Sequence, residues 1–195
     1  MPRYFKIGLI ALLAAAALGA GAFATYSWVT YLPKRFGVVD EGQLKLYRSG
    51  DVTPAQLERL HAKYGIGRVI CLLNPADPGA RDAILAEHAT AERLGMQWID
   101  LPMHGDGTST PEARAKLVAL YRVKDAPPTL VHCSAGVYRA GLAVGLYRIH
   151  FQGWTYDQVH AELLQHGFED TPKHENMRAA LRAATTQATA TTRPA

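Results

Sequence analysis

Cysteine is scarce in this chain: two residues, Cys71 and Cys133, in a length of 195. Neither has another cysteine near it in sequence, and the eight histidines show no metal-ligand spacing, so neither a metal nor a cofactor is expected. Charge is sparse too, at 19% of residues, and nearly balanced, with a formal net charge of +4. Removing residues 1–24, which hold Arg3 and Lys6 and no acid, leaves 19 basic against 17 acidic residues, a net of +2. That balance, with no basic stripe interleaved with aromatics, argues against nucleic acid as a partner. No internal repeat is visible. Apolar residues are plentiful at 48%, enough for one well-packed domain and an appendage.

The appendage is N-terminal. Arg3 and Lys6 form a short basic region, and Ile7 to Ala24 is an uncharged run of 18 residues. The run is Ala/Gly-rich, only mildly hydrophobic and slightly short for a membrane span. Ala22-Phe23-Ala24 is a small-x-small sequence of the kind signal peptidase cuts. Residues 1–30 are therefore expected to be a signal peptide or an uncleaved membrane anchor, with Tyr26, Trp28 and Tyr31 at a membrane interface. On this reading the rest of the chain is exported. It is either held at the inner membrane by this hydrophobic helix, with its domain in the periplasm, or free in the periplasm after cleavage.

Beyond Phe36 the pattern alternates between strand and helix. Leu44-Lys45-Leu46-Tyr47 has the alternation of a half-buried strand, and Arg48-Ser49-Gly50-Asp51 reads as a turn. Thr53-Pro54 opens a helix by the cap-then-proline rule, with Leu57, Leu60 and Tyr64 inward and Gly65 at its end. Arg68 to Leu73 is a short apolar run, as in a central parallel strand. A helix is expected over 80–94, with Ile84, Leu85 and Leu94 inward, then a strand over 97–102 and a helix from Thr110-Pro111 to about Lys124. Thr129-Leu130-Val131 is the next strand, and Leu142, Leu146 and Ile149 mark the helix after it. Two more helices are expected, from Gly153-Trp154-Thr155 to about Gln165 and over 172–185. The alternation predicts an α/β fold: a central, mostly parallel sheet of four to five strands flanked by helices on both faces, preceded by the N-terminal hydrophobic helix. The domain is assigned to 36–186, and 187–195 to a disordered tail.

Ligands of such sheets bind beyond the carboxyl ends of the strands. His132 and Cys133 stand at one. A strand turning tightly into a helix aims several backbone N–H groups and the positive end of the helix dipole at one point, which suits a tetrahedral dianion. The same field stabilises a thiolate, the nucleophilic form of cysteine. Arg139 adds a planar fork of donors for two phosphate oxygens. Gly136 lets the turn adopt positive φ, and Gly141 allows the helix to approach the sheet closely.

His132-Cys133-x-x-Gly136-x-x-Arg139 resembles the signature loop of the cysteine-dependent protein tyrosine phosphatase superfamily. Tyr47-Arg48-Ser49-Gly50, the strand from Gly65-Ile66 to Leu73, and Gly153-Trp154-Thr155 with its helix are similar to the bacterial branch of the dual-specificity-like phosphatases. The resemblance covers roughly residues 36–170. Nothing like the separate phosphotyrosine-recognition loop of the longer tyrosine-specific domains can be picked out. The resemblance implies attack by Cys133 on phosphorus, with Arg139 and the backbone amides of Ser134, Ala135, Gly136, Val137, Tyr138 and Arg139 holding the equatorial oxygens. It also implies an aspartic acid on a mobile loop upstream, which protonates the leaving oxygen and then activates water. Asp106, in His104-Gly105-Asp106-Gly107, matches that place, with glycines that allow motion; Asp100, within a strand, is the competitor. His132 is expected to pack behind the loop and orient it, and Arg48 to brace it.

One position departs from the family pattern. Ala140 stands where Ser or Thr usually donates a hydroxyl to the thiolate, so a slow enzyme that accumulates phosphoenzyme is expected. Ser134, Ala135, Val137 and Tyr138 add no charge to the loop, which disfavours a polyanion, and Tyr138 offers an aromatic wall. Phosphotyrosine or an aryl phosphate, on a protein or a small phosphomonoester, is the first expectation. A phosphoinositide or inositol phosphate is second, and a phosphate-binding pseudophosphatase third. A rhodanese-type loop is usually shorter and lacks this Cys-to-Arg spacing. Cys71 reads as a buried, inert thiol, with a reversible Cys71–Cys133 bond as the alternative.

Overall fold

The computed structural model describes residues 12–19, 21 and 31–191, with side chains through 188. The chain divides into two units, Met1–Leu32 and Pro33–Ala195. In the first, residues 12–19 are helical and exposed. Arg3, Lys6, Ala22-Phe23-Ala24, Tyr26 and Trp28 lie outside the described residues. The anchored, exported arrangement expected from the sequence is corrected here: among the described residues no helix is long and apolar enough to cross a membrane.

The second unit is a five-stranded sheet with helices on both faces. In chain order its elements are β1 (Gly37–Asp40), β2 (Leu46–Ser49), α1 (Pro54–Tyr64), β3 (Arg68–Cys71), α2 (Ala80–Arg93), β4 (Gln97–Asp100), α3 (Pro111–Tyr121), β5 (Thr129–His132), α4 (Tyr138–Gln152), α5 (Tyr156–Gln165), a 3-10 turn (Pro172–His174) and α6 (Glu175–Thr191). The strand order is β1-β2-β5-β3-β4, with only β1 antiparallel. β5, which feeds the Cys133 loop, is therefore central, between β2 and β3. The helix starts follow the capping signals. Thr53 and Thr155 form capping boxes with Gln56 and Gln158, and Thr110 caps α3.

Strand alternation separates two cores. Ile70, Leu72 and Val131 face the larger one, filled by Leu117 of α3, Leu142 and Leu146 of α4, Val159 of α5 and Leu181 of α6. Each such side chain contributes roughly 1.5–3 kcal/mol on burial. Cys71 and Leu73 face the smaller one, against Ala80 and Ile84 of α2. α4 is buried along most of its length, with its glycines against other helices. A Cβ at Gly141 would come 2.6 Å from Leu163 of α5, so this glycine admits a helix rather than the sheet, as had been expected.

The elements differ from the sequence pattern in four places. β1 carries no alternation and was not anticipated. Arg48 and Ser49 are strand rather than turn, paired with Val131 and His132. On α2 Leu85 faces solvent at 60% exposure, while Glu87 is buried at 2%. α6 continues to Thr191, so residues 187–191 extend the helix instead of opening the tail.

Candidate active site

Cys133 follows β5 and leads through Ser134–Val137 into α4. Its side chain is buried and belongs to the larger core, whereas Cys71 lies in the smaller one on the other side of the sheet. Both thiols are free, and the sheet between them gives no path to the Cys71–Cys133 bond.

The loop is braced from behind by the segment Arg35–Asp51. The Asp51 amide donates to Ser134 O at 2.9 Å, Arg35 Nη1 to Ala135 O at 2.9 Å, and Arg48 Nη2 to Gly136 O at 2.8 Å. These are three consecutive carbonyls. In a planar trans peptide the C=O of one residue is antiparallel to the N–H of the next. Tying down these carbonyls therefore turns the N–H groups of Ala135, Gly136 and Val137 to the opposite side. The Gly136 N–H donates to Cys133 Sγ at 3.3 Å, which locates that side at the sulfur. Gly136 has φ of 72°, and a Cβ there would meet the Gly50 amide nitrogen at 2.7 Å. Loop and brace thus touch backbone to backbone, and no other residue fits. Ser134 Oγ adds a bond to Asp51 Oδ2 at 3.2 Å.

Arg139, in the first turn of α4, is 5% exposed and turned inward. Its Nη1 donates to Asp77 Oδ2 at 2.7 Å and to Met103 O at 3.4 Å, while its buried Nε has no protein partner. Asp77 fixes one end of the fork and leaves a buried donor for an anion. A cleft of about 230 Å³ opens here, lined by Asp51, Leu73, Asp77, Pro78, Ser134 and Arg139. Two larger grooves, of about 400 and 590 Å³, lie around α3, α4 and α6 and contain none of these residues.

Asp106 sits in the loop between β4 and α3. Its Oδ1 accepts from the Thr108 amide at 2.8 Å. Partial burial works against the charge, yet the Thr108 amide and hydroxyl, with His104 and His174 nearby, hold the carboxyl below its ordinary range. As found, the group is a carboxylate tied to its own turn. Asp100, the competitor, accepts from Trp98 Nε1 at 2.9 Å and is exposed at the end of β4.

Behind the loop lies a polar core with no signal in the motif. His132 is fully buried, with Nε2 3.2 Å from Glu87 Oε2, although the pair lacks hydrogen-bond alignment. Cys71, Glu87 and His132 bring a thiol, a carboxyl and an imidazole within 4.8 Å of one another. Burial, helped by the charge of Asp51, pushes the Glu87 carboxyl up to about 8. Burial, followed by the charge of Arg139, pushes His132 down to about 4, and burial raises Cys71 to about 12. Burial thus favours the uncharged form of all three groups. The donor set fits a neutral core. Ala140 is fully buried and offers no hydroxyl.

Sequence reasoning missed Arg35, Asp77 and Glu87. Only Glu87 carried a signal, its spacing from Ala80, Ile84 and Ala91 placing it on the inward stripe of α2.

Fold and site together place the chain in the cysteine-dependent protein tyrosine phosphatase superfamily, among its bacterial dual-specificity-like members. The family model "PTP-SAK: Swiss Army Knife protein, DSP-PTPase phosphatase domain" matches residues 33–194, and the chain belongs to that family. Its curated relatives include the dual specificity protein phosphatase TpbA of Pseudomonas aeruginosa. In strain PAO1 TpbA is 38% identical over 69 residues, 35% of this chain and 31% of TpbA; in strain UCBPP-PA14 it is 35% identical over 72 residues, 37% and 33%. The matched stretch thus spans about a third of the length of either relative. Crystalline TpbA shares the fold at a TM-score of 0.58 and 21% identity, covering 82% of this chain and 98% of TpbA. TpbA also has a structure in complex with phosphotyrosine, similar at a TM-score of 0.53 and 23% identity, covering 72% and 85%. The core catalytic domain of the PP-IP phosphatase Siw14 from S. cerevisiae, in complex with citrate, has a TM-score of 0.58 at 19% identity, covering 80% and 94%.

Proposed function

We propose that residues 36–186 hydrolyse phosphomonoesters through a cysteinyl-phosphate intermediate, with phosphotyrosine on a protein, or a small aryl phosphate, as substrate. The Cys133 thiolate attacks phosphorus, forming the S–P bond as the P–O bond to the leaving group breaks. Asp106 gives the leaving oxygen its proton, then takes one from the water that cleaves the S–P bond and releases inorganic phosphate. For the first step its carboxyl has to exchange the Thr108 amide for the substrate oxygen, carrying a proton as it does. Arg139 and the amides of residues 134–139 stabilise the equatorial oxygens. The observation that carries this reading is the set of three tied carbonyls at Ser134, Ala135 and Gly136, which aims the following N–H groups to the side where the sulfur lies.

Two features favour a site for a single aryl phosphate over a polyphosphate one. Asp51 and Asp77 line the cleft beside Arg139 and oppose additional phosphates. Tyr138, at the loop's end, belongs to an aromatic group with Phe168 and His174. The fold shared with Siw14 supports the inositol-phosphate alternative.

The test is hydrolysis of phosphotyrosine, phosphoserine, phosphoinositide and inositol-phosphate substrates by the full chain, with rapid acid quench to trap phosphoenzyme. Wild type is expected to release phosphate from phosphotyrosine and to trap label on Cys133, and Cys133→Ser to do neither. Turnover surviving Cys133→Ser would refute the covalent route. A wild type that binds phosphate without turnover would establish a pseudophosphatase.

A further inference from the structure

The Asp106 loop is flanked by glycines, a composition that suits a free lid, yet the structure pins it. His174, at the end of the 3-10 turn before α6, is 4% exposed. Its Nδ1 lies 2.9 Å from the backbone oxygen of Asp106. A carbonyl only accepts, so Nδ1 carries the proton and donates. The ring also meets the phosphate-binding loop: it stacks on Tyr138, with centroids 4.1 Å apart and planes 15° from parallel. Phe168 closes the group, 5.9 Å from Tyr138 and 5.5 Å from His174. The next residue of the acid loop also rests on α6, since a Cβ at Gly107 would come 2.8 Å from Met177 Sδ.

The turn that presents His174 is itself fixed. Arg178 Nη1 donates to Thr171 O at 2.9 Å, and the same guanidinium pairs with Asp170 and with Glu175. His174 therefore holds the backbone of the acid on one side and the wall of the phosphate site on the other. Among the described hydrogen bonds one other joins the two loops, the longer bond of 3.4 Å from Arg139 Nη1 to Met103 O at the start of the acid loop.

We propose that His174 is a positioning residue for the acid step, setting the Asp106 loop against the phosphate-binding loop through its Nδ1–H bond and its stack on Tyr138. This rests on the assignment of Asp106 as the acid. His174 touches neither phosphate nor leaving group; it fixes where the carboxyl stands when the P–O bond breaks. Misplacing such a group by about 1 Å costs on the order of 100-fold.

The consequence depends on the leaving group. A phenol as basic as tyrosine needs its proton from the acid, whereas a strongly acidic nitrophenol leaves without it. His174→Phe keeps a ring and removes the donor; His174→Asn keeps a donor near Nδ1 and removes most of the stacked face. Because kcat also contains the hydrolysis of phosphoenzyme, which no longer holds the leaving group, kcat/KM is the quantity compared throughout: with phenyl phosphate, His174→Phe is expected to lower it by roughly 10- to 100-fold, and His174→Asn by less. With 2,4-dinitrophenyl phosphate both variants should stay within about threefold of wild type. Asp106→Asn, run alongside, should show the same leaving-group dependence more steeply. If Asp106→Asn lost activity equally on every phenol, the acid assignment itself would fail. A steep dependence in Asp106→Asn with a flat one in both His174 variants would overturn only the role of His174. A measurement on the unaltered protein guards against unfolded variants: nitrogen NMR of His174 in its neutral form should show the proton on Nδ1, and a proton on Nε2 would overturn the proposal.

Discussion

Glu87→Gln should stabilise this protein, and increasingly so as pH rises. Glu87 is 2% exposed on α2; its carboxyl accepts from the Val52 amide and faces His132 Nε2 at 3.2 Å. The charged groups around it are Asp51 on the brace and Arg139 beyond His132, with Asp100 close to the neighbouring Cys71. Burial and the Asp51 charge raise its pKa from 4.5 to about 8. The folded chain thus keeps a proton that the unfolded chain releases, and stability falls as pH rises from the lower value through the upper. Each unit is worth about 1.4 kcal/mol, so the cost reaches roughly 3 kcal/mol at pH 7 and levels near 5 kcal/mol above pH 8. Glutamine retains the shape and an acceptor for Val52 but cannot ionise, so the Gln-minus-wild-type difference should follow that curve. His132 acts oppositely: its depressed pKa lowers stability as pH falls from 6.5 through about 4, in both proteins alike. Urea unfolding of wild type and Glu87→Gln between pH 5 and 8.5 measures the difference directly. Parallel stability curves would show that the carboxyl is charged throughout, and the neutral core behind the loop would have to be abandoned.

Three further substitutions follow from the site. Asp77→Asn removes the anion that fixes Arg139 Nη1, and should raise KM for aryl phosphates and weaken inhibition by inorganic phosphate by about 10-fold, with little change in melting temperature. Gly136→Ala forces a Cβ onto the backbone of Ser49 and Gly50 at a φ of 72°; vanadate binding should be lost and stability lowered by about 1–3 kcal/mol, measured by titration and melting. Ala140→Ser supplies a hydroxyl beside the thiolate, and should shorten the phosphoenzyme burst and raise steady-state turnover in rapid-quench kinetics; unchanged values for both would refute that role.

How much of this was legible in the chain depended on distance along it. Cys133, Gly136 and Arg139 lie within seven positions, so the strand, the turn and the helix could be read as one device. The parallel sheet was legible because Arg68–Cys71 and Thr129–His132 are apolar runs buried on both faces. β1 was not, since Gly37–Asp40 is a partly buried edge strand with no alternation. Asp77 and His174 lie 62 and 35 positions from Arg139 and match no spacing rule; only the folded chain brings them to the loop. Glu87 was the one distant partner with a signal. An acid on the inward stripe of a helix is either misread or kept neutral, and the surrounding burial decides for the second.

These distant contacts also bear on the shape of the Cys133 loop. A loop of small residues left alone would have to order its amides around each incoming anion and meet that entropy on every turnover. Here the carbonyls of Ser134, Ala135 and Gly136 are bound by donors from Asp51, Arg35 and Arg48, two of them guanidinium groups. The amide orientation is thereby a property of the fold, as preorganised stabilisation of a developing charge requires. The brace contains β2, β2 pairs with β5, and β5 ends beside the nucleophile, so a shift in the strand register would move carbonyls and sulfur together. A mutation in the brace should therefore act on anion affinity while never touching the anion.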